Sequence, residues 1–560
     1  NDSQWPQRQR LAGVVAYAND TVAVTSALAV APGGSIPLAA PTVAVDADLV
    51  ARGGSIALGD LVSRFASVNG GSWVDISIAH VLPIGYAPRV VVGEGVRLDA
   101  RGLWSHIAQS PDRIGGLPYV DGGQVTLRST GDVVLGARSL VDVSGGAALL
   151  AGNELRGGRG GDVTLMAAQP GNEGAGPGTL RMEGEVRGHG VKGGGKLTLA
   201  NGAAIGIGEL PAGGDGQLAA GRSSTVHLRL AGDYVIAGGR GIPMDFAVTV
   251  SRALPGEALK ESVQPGVSNA RTVITGADWV VPPGTQAFLL DGKGYEPGQT
   301  VPAGSVLAAI TLLAQGYVLP KDVFPSGLPI PPKTTSYKAG TVAAADTVMP
   351  AGTPIVAGTA LPRAVAVQPL LRLDTDLFRS GFAQYTVRGQ DGVAVADGAR
   401  VDVRMPVQRF DPVAGALAPT GADPSTALPL WMPPVYQDDP VKQKLTQRAG
   451  ADLTLEAGTL YQRAPLVVGE GAHIALDPGR TLTLRGNDQI TVDGTLSAWG
   501  GRVALLPGDH GMGNARNLAD GMPNARSYWI GEHALIDVAA RPVVGTRGRG
   551  HPHGPGGNPG

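Results

Sequence analysis

The chain has 560 residues, 45 basic and 47 acidic side chains for a formal net charge of −2, and no cysteine. A balanced charge without a basic stripe leaves no electrostatic footprint for nucleic acid or an anionic membrane surface. The absence of cysteine excludes disulfides and thiolate metal sites together, and suits a chain that crosses an oxidising compartment unfolded. Gly and Pro account for 129 residues, a proportion typical of low-complexity chains. Against disorder stands 43% hydrophobic content arranged in recurring Val/Leu/Ile strands, while only 25 aromatics point to a narrow interior lined by small side chains.

The first residues, Asn1–Gly13, hold neither a start Met nor a basic region followed by an apolar one, and no stretch reaches the roughly 20 apolar residues of a spanning helix. Both ends are expected to be cut from a longer protein. From Ala12 the pattern is strand and turn in alternation. A short phrase recurs: two glycines, a variable residue, then an apolar–small–apolar triplet. It reads GGSIPL at Gly33–Leu38, GGSIAL at Gly53–Leu58, GGQVTL at Gly122–Leu127, GGDVTL at Gly160–Leu165, GGKLTL at Gly194–Leu199 and GGRVAL at Gly500–Leu505. The glycines supply positive φ or tight-turn geometry, and the triplet has the period of a half-buried strand. The first step is 20 residues and the third is 38, close to two steps of 19. That length fits one coil of about three short strands, and a unit too small to bury its own apolar face implies stacking of coil on coil. About fifteen coils at ~4.8 Å each would give a rod on the order of 70 Å. A second phrase, a Gly-centred turn, an apolar pair and an aspartate, occurs at Val91–Gly102, Leu135–Gly145, Val467–Asp477 and Trp529–Val538.

The predicted organisation is therefore coils over 1–236, a Pro/Gly-rich β insertion with a wrapping loop over 237–449, coils resumed over 450–545, and a Gly/Pro-rich tail over 546–560. In the insertion a Pro/Lys-Ala/Pro-Gly-Thr/Ser turn returns at Pro282–Thr285, Pro302–Ser305, Lys338–Thr341 and Pro350–Thr353. Its chemistry suggests type I turns with Pro second and Gly fourth. Val306–Leu313 is the best helix candidate, and Pro406–Pro440 reads as a linker or wrapping loop.

Chemistry-bearing residues are sparse. Asp99, Asp142, Asp493 and Asp537 occupy similar motif positions, and stacking would bring some within reach of each other, as a carboxylate pair for glycoside cleavage requires. Recurring once per motif, each is expected instead to end a strand and bind local backbone in an Asx turn. Gly157–Leu165 comes close to a calcium-binding nonapeptide, but Thr164 stands where a large apolar residue is needed and the copy is single. Gly190–Leu197 resembles a phosphate loop, with Leu197 in place of Ser/Thr and no helix to follow. His551 and His553 are expected to be solvated turn residues. Trp73, Trp104, Trp431, Trp499 and Trp529 are expected to plug corners rather than stack on sugars. No catalytic, cofactor-binding or metal-binding residue is assigned, no cofactor is expected, and the binding residues are not identified.

The sequence Gly-Gly-x-Val-Thr-Leu, Gly-Asp-Val-x-Leu and Leu-x-Asp-Val-Ser-Gly-Gly resembles the filamentous haemagglutinin family, the large exoproteins of two-partner secretion in Gram-negative bacteria. The likeness covers most of 49–199 and 453–538, and Arg379–Gly398 is similar to a stretch of the largest members. The amino-terminal secretion domain of that family, with its Asn-Pro-Asn motifs, is not in this sequence. The resemblance implies a right-handed parallel β-helix interrupted by the insertion, and export of the parent protein through an outer-membrane two-partner secretion transporter. It also implies a place outside the cell or on its surface, and a non-enzymatic role in attachment to glycans or proteins of host or neighbouring cells. Two alternatives are a carbohydrate-active β-helix enzyme and a passive stalk presenting a distal toxin domain.

Overall fold

Each glycine-led phrase becomes one strand of a single parallel sheet. The computed structural model describes residues 13–66, 72–77, 88–109, 119–168, 178–264, 273–289, 291–308, 310–325, 327–439, 444–459, 462–508 and 527–541. The fold is all-β, 42% strand against 4% helix. The largest sheet has ten parallel strands, running in chain order from Ala16–Tyr17 through Ser35–Ala39, Ser55–Gly59, Gln124–Arg128, Asp162–Met166 and Lys196–Asn201 to Gln384–Gly389, Asp452–Ala457, Thr481–Gly486 and Arg502–Pro507. At the usual strand spacing ten strands span ~43 Å, shorter than the expected rod because the insertion removes a long stretch of chain from the stack.

After each strand of this first sheet except Lys196–Asn201 the chain crosses to a second and then a third sheet. Ser35–Ala39, Thr42–Val45, Leu49–Val50 and Ser55–Gly59 make one such circuit. The second Gly-centred phrase joins the second sheet to the third, as where Arg89–Val92 leads to Arg97–Asp99. Inward positions fall in register. Ile56, Val125, Val163, Leu197, Tyr385, Leu453 and Leu482 are successive partners in the first sheet, and all are buried. Together with their counterparts on the other two sheets they form one continuous core from Ile36 to Ala498.

The insertion has other limits than the expected 237–449. It leaves after Ile205–Ile207 and is back by Leu371–Leu373, and between them the chain folds into nested antiparallel pairs. These begin with Gln217–Leu218 against Val365–Ala366 and end at the Ala287–Phe288/Gly294–Tyr295 hairpin. The arm has two cores. Tyr234, Met244, Phe246 and Met349 belong to the proximal one, and Trp279, Val301, Leu307 and Phe324 to the distal one. Val306–Leu307, at the start of the expected helix, is a strand paired with Val273–Ile274, and Leu313 bridges to Val263. The Pro/Lys-Ala/Pro-Gly turns also differ in register. Pro302 accepts from Ser305 N–H and Pro350 from Thr353 N–H, which puts Gly304 and Gly352 third in their turns with φ of 77° and 82°. Positive φ at that place is the requirement of a type II turn.

The arm's root disturbs the stack. Leu371–Leu373 pairs with Ile205–Ile207 on the side away from Val393–Val395, so a strand later in sequence sits earlier in the sheet. Leu180–Met182 ends one group of five strands in the second sheet and Leu371–Leu373 begins another of six. In the third sheet Glu185–Arg187 likewise ends a group, and the segment after Leu373 forms a 3-10 helix, Thr375–Arg379, instead of a strand. Only the first sheet runs unbroken past this seam. Phe378, Phe382 and Tyr385 fill the interior there, with ring centroids 5.5 and 5.9 Å apart.

Parallel pairing resumes well before the expected 450, with Gln384–Gly389, Val393–Val395 and Arg400–Val403. The wrapping loop is a strap in which Val407–Gln408 pairs with Leu430–Trp431 around two short helices, Pro412–Leu417 and Pro424–Ala427. Each helix has Pro in its first turn and an aspartate N-cap, Asp411 and Asp423. Among the described residues no helix is long and apolar enough to cross a membrane.

Candidate functional site

Three of the four recurrent aspartates serve the backbone. Asp99 Oδ1 accepts from Arg101 N–H at 3.1 Å, Asp142 Oδ1 from Ser144 N–H at 2.9 Å, and Asp537 Oδ1 from Ala539 N–H at 3.1 Å. Each bond reaches two residues ahead, the Asx-turn geometry. Asp493 lies against Gly531 of the next circuit, where an added Cβ would come 1.8 Å from its carboxylate. Of the four, Asp99 and Asp142 become register partners on adjacent strands.

That pair is neutralised by a neighbour that motif reading overlooked. Arg101 is buried and donates through Nε and Nη2 to Asp99, lies 3.7 Å from Asp142, and reaches Asp423 of the strap at 2.7 Å. Arg52 adds a further bridge to Asp99 at 3.0 Å. Burial alone would lower the Arg101 pKa, but the bonds to Asp99 and the other carboxylates raise it above its usual value. Burial likewise works to raise the Asp423 carboxyl, yet hydrogen bonds from Ser425 and Arg101 bring it down to about 2. The strap then covers Trp104, whose Nε1 donates to Ala418 O at 3.0 Å, while Thr420 Oγ1 accepts from His106 N–H at 2.8 Å. Two similar knots occur elsewhere. Buried Asp391 takes Arg229 Nε and Nη2 at the root of the arm, and buried Asp477 takes Arg448 and Arg404. These charges hold parts together.

The outward side of the first sheet is different. A cleft of about 550 Å³ runs along its leading corner, floored by glycines and rimmed by Asp121, Gln124, Arg159, Asp162, Lys196 and Gln384. Gln124, Asp162, Lys196 and Gln384 are register partners on four consecutive strands, and all are exposed. One oxygen of Asp121 accepts from Arg159 N–H at 2.7 Å and one of Asp162 from Lys196 N–H at 2.8 Å. The side chains present a mixture of donors and acceptors with balanced charge, suited to a polar ligand without strong net charge. Two further clefts, of about 380 and 560 Å³, open along the seam beside the arm.

The remaining sequence candidates fall apart in space. Lys196 starts a strand, so the phosphate-loop likeness lacks its helix. Asp162 of the calcium-like nonapeptide is engaged with backbone, and among the described residues no group of three His, Asp or Glu side chains is placed to hold a metal. His551 and His553 lie outside the described residues, as does the side chain of Trp73. Trp104 is buried, and Arg409 sits 5.1 Å from the Trp431 ring. Trp499 and Trp529 are 38% and 48% exposed, and Trp499 is held by Asp537 and by Arg541 over its ring. No family model, curated protein or solved structure matches the chain.

Proposed function

We propose that this chain is a segment of a secreted or surface-displayed bacterial adhesin of the filamentous haemagglutinin type. In this reading the three parallel sheets close into a right-handed β-helix, a rod from which the antiparallel arm projects. The parent protein leaves the cell through an outer-membrane two-partner secretion transporter and stands on the exterior of a Gram-negative cell. Its role is attachment to glycans or proteins of other cells, without catalysis.

One observation carries the reading. Three clusters of buried charge are spent in structural knots, while polar rim groups repeat on four consecutive strands of the first sheet. Such a surface suits many weak contacts in parallel rather than one deep pocket. The test is adherence of beads coated with the full chain to epithelial and bacterial cells. Coated beads should attach several-fold more than beads carrying an unrelated protein, and soluble chain should compete. Equal attachment of both would sink the proposal.

A second reading, a carbohydrate-active enzyme, is favoured by Asp121 and Asp162 standing in one cleft with Arg159 and Lys196. Release of reducing ends from polysaccharides by the full chain, abolished by Asp162→Asn, would select that reading over adhesion.

A further inference from the structure

Beside the cleft, the outward face of the first sheet carries a ladder of one residue type. Thr126, Thr164, Thr198, Thr386, Thr454 and Thr483 are register partners on six consecutive strands, spanning ~24 Å at the usual spacing. Threonine favours strands, so a single outward Thr needs no explanation. The same column, however, holds Pro37 and Ala57 at one end and Ala504 at the other, where pairing continues undisturbed. Strand formation therefore does not demand threonine at this place. Among the described residues no side-chain hydrogen bond engages any of the six hydroxyls. Four of the six strands are also those that supply Gln124, Asp162, Lys196 and Gln384 to the cleft, two positions earlier in each strand. Each of these four circuits thus offers one polar rim group and one hydroxyl–methyl pair, repeated at strand spacing.

We propose that this track binds a single extended, uncharged, β-linked polysaccharide chain lying across the strands, along the axis of the stack. The inference rests on the adhesive reading and assigns its glycan contact to the body of the protein rather than to the arm. Three observations select the ligand. An extended β-linked hexose chain advances by nearly one strand spacing per sugar, so successive sugars meet equivalent groups on successive circuits. An extended peptide, at ~3.3 Å per residue, falls out of step with a ~4.8 Å ladder. The two acidic and two basic side chains at the rim cancel, which offers a polyanion no net attraction. Threonine presents a methyl and a hydroxyl together, matching the mixed C–H and O–H surface of a sugar ring, and Gln124 and Gln384 both donate and accept.

The experiment is calorimetric titration of the full chain with neutral β-linked hexasaccharides of glucose, mannose and N-acetylglucosamine, with a heparin hexasaccharide and a β-strand-forming peptide as comparisons. Two variants accompany it, Gln124→Ala/Lys196→Ala/Gln384→Ala and Thr164→Val/Thr198→Val/Thr386→Val. Circular dichroism confirms their fold, and bead adherence is measured on the same samples. At least one neutral hexasaccharide should bind, its trisaccharide at least tenfold more weakly, and both variants should lose at least tenfold. Unchanged glycan binding in both variants would place the contact elsewhere and overturn the track while leaving adhesion intact. Binding of only heparin or only peptide would overturn the ligand class. Adherence without binding of any hexasaccharide would overturn the proposal alone, whereas loss of both would remove the adhesive reading as well.

Discussion

The second glycine of four of the phrases is explained by its neighbour one circuit away. A Cβ on Gly54, Gly123, Gly161 or Gly195 would lie 1.8–2.3 Å from the carbonyl oxygen of the preceding glycine in the column. Positive φ holds only for the first glycine of some phrases, as at Gly53 with φ 58°. Gly161→Ala should therefore cost ~1–3 kcal/mol by urea unfolding, the usual range for overpacking. Gln124→Ala, on the exposed rim, should stay within ~0.5 kcal/mol. A silent Gly161→Ala would mean that the circuits do not approach so closely. Asp423 gives a pH-dependent prediction. Its folded pKa, about 2, lies below the ordinary carboxylate value of 3.8, so its contribution is complete above that value and disappears as pH falls toward 2. Loss of the Arg101 bond should loosen the strap and red-shift Trp104 fluorescence across this window. In Asp423→Asn the shifted emission should already be present at pH 7, with no further step between pH 4 and 2.

Strands and turns were legible to different degrees. The triplet periodicity locates the six phrase-led strands of the first sheet, and the Gly-centred phrase locates the crossings from the second sheet to the third. Val306–Leu313 misleads because a short apolar run has no period long enough to separate helix from strand. The arm has a grammar that composition obscures, in which an aspartate on one strand caps a turn on the other. Asp233 accepts from Ala351 N–H, Asp245 from Ala339 N–H and Asp278 from Ala303 N–H, at 2.7–2.8 Å. An aromatic follows each aspartate into the core: Tyr234, Phe246 and Trp279. Asp278→Ala should weaken the distal part of the arm by ~1 kcal/mol, the usual net value of such a bond. Hydrogen exchange should speed up at the Ala303 amide and remain unchanged in Asp452–Ala457 of the first sheet. Equal acceleration at both places would contradict a local role for the cap.

Across the whole molecule the seam at the arm's root is the discontinuity that matters most. Two of three sheets end there, and the first sheet alone carries strand pairing across it. Backbone opening is easiest where pairing is one-sided and clefts admit water. Amides of Leu180–Met182 and Leu371–Leu373 should exchange at least tenfold faster than those of Asp132–Leu135, which lies between partners on both sides. Uniform protection along the second sheet would show that the seam is mechanically continuous. Phe378, Phe382 and Tyr385 lie at the same level, so large side chains make up there for the missing strand of the third sheet.

The sequence by itself determined the repeat and the parallel stacking of its phrases. These are local properties, written in the spacing of glycines and apolar residues within some 20 positions. Tertiary structure alone decided where the arm begins and ends, since Gln217 finds Ala366 and no local pattern announces a partner so far away. It alone joined Arg101 to Asp423 across 322 positions and folded Leu371–Leu373 back beside Ile205–Ile207. It also aligned six threonines, scattered over the chain from Thr126 to Thr483, into one column. Register between distant segments depends on how the intervening chain packs, and that is settled by the assembled core rather than by any one stretch of residues.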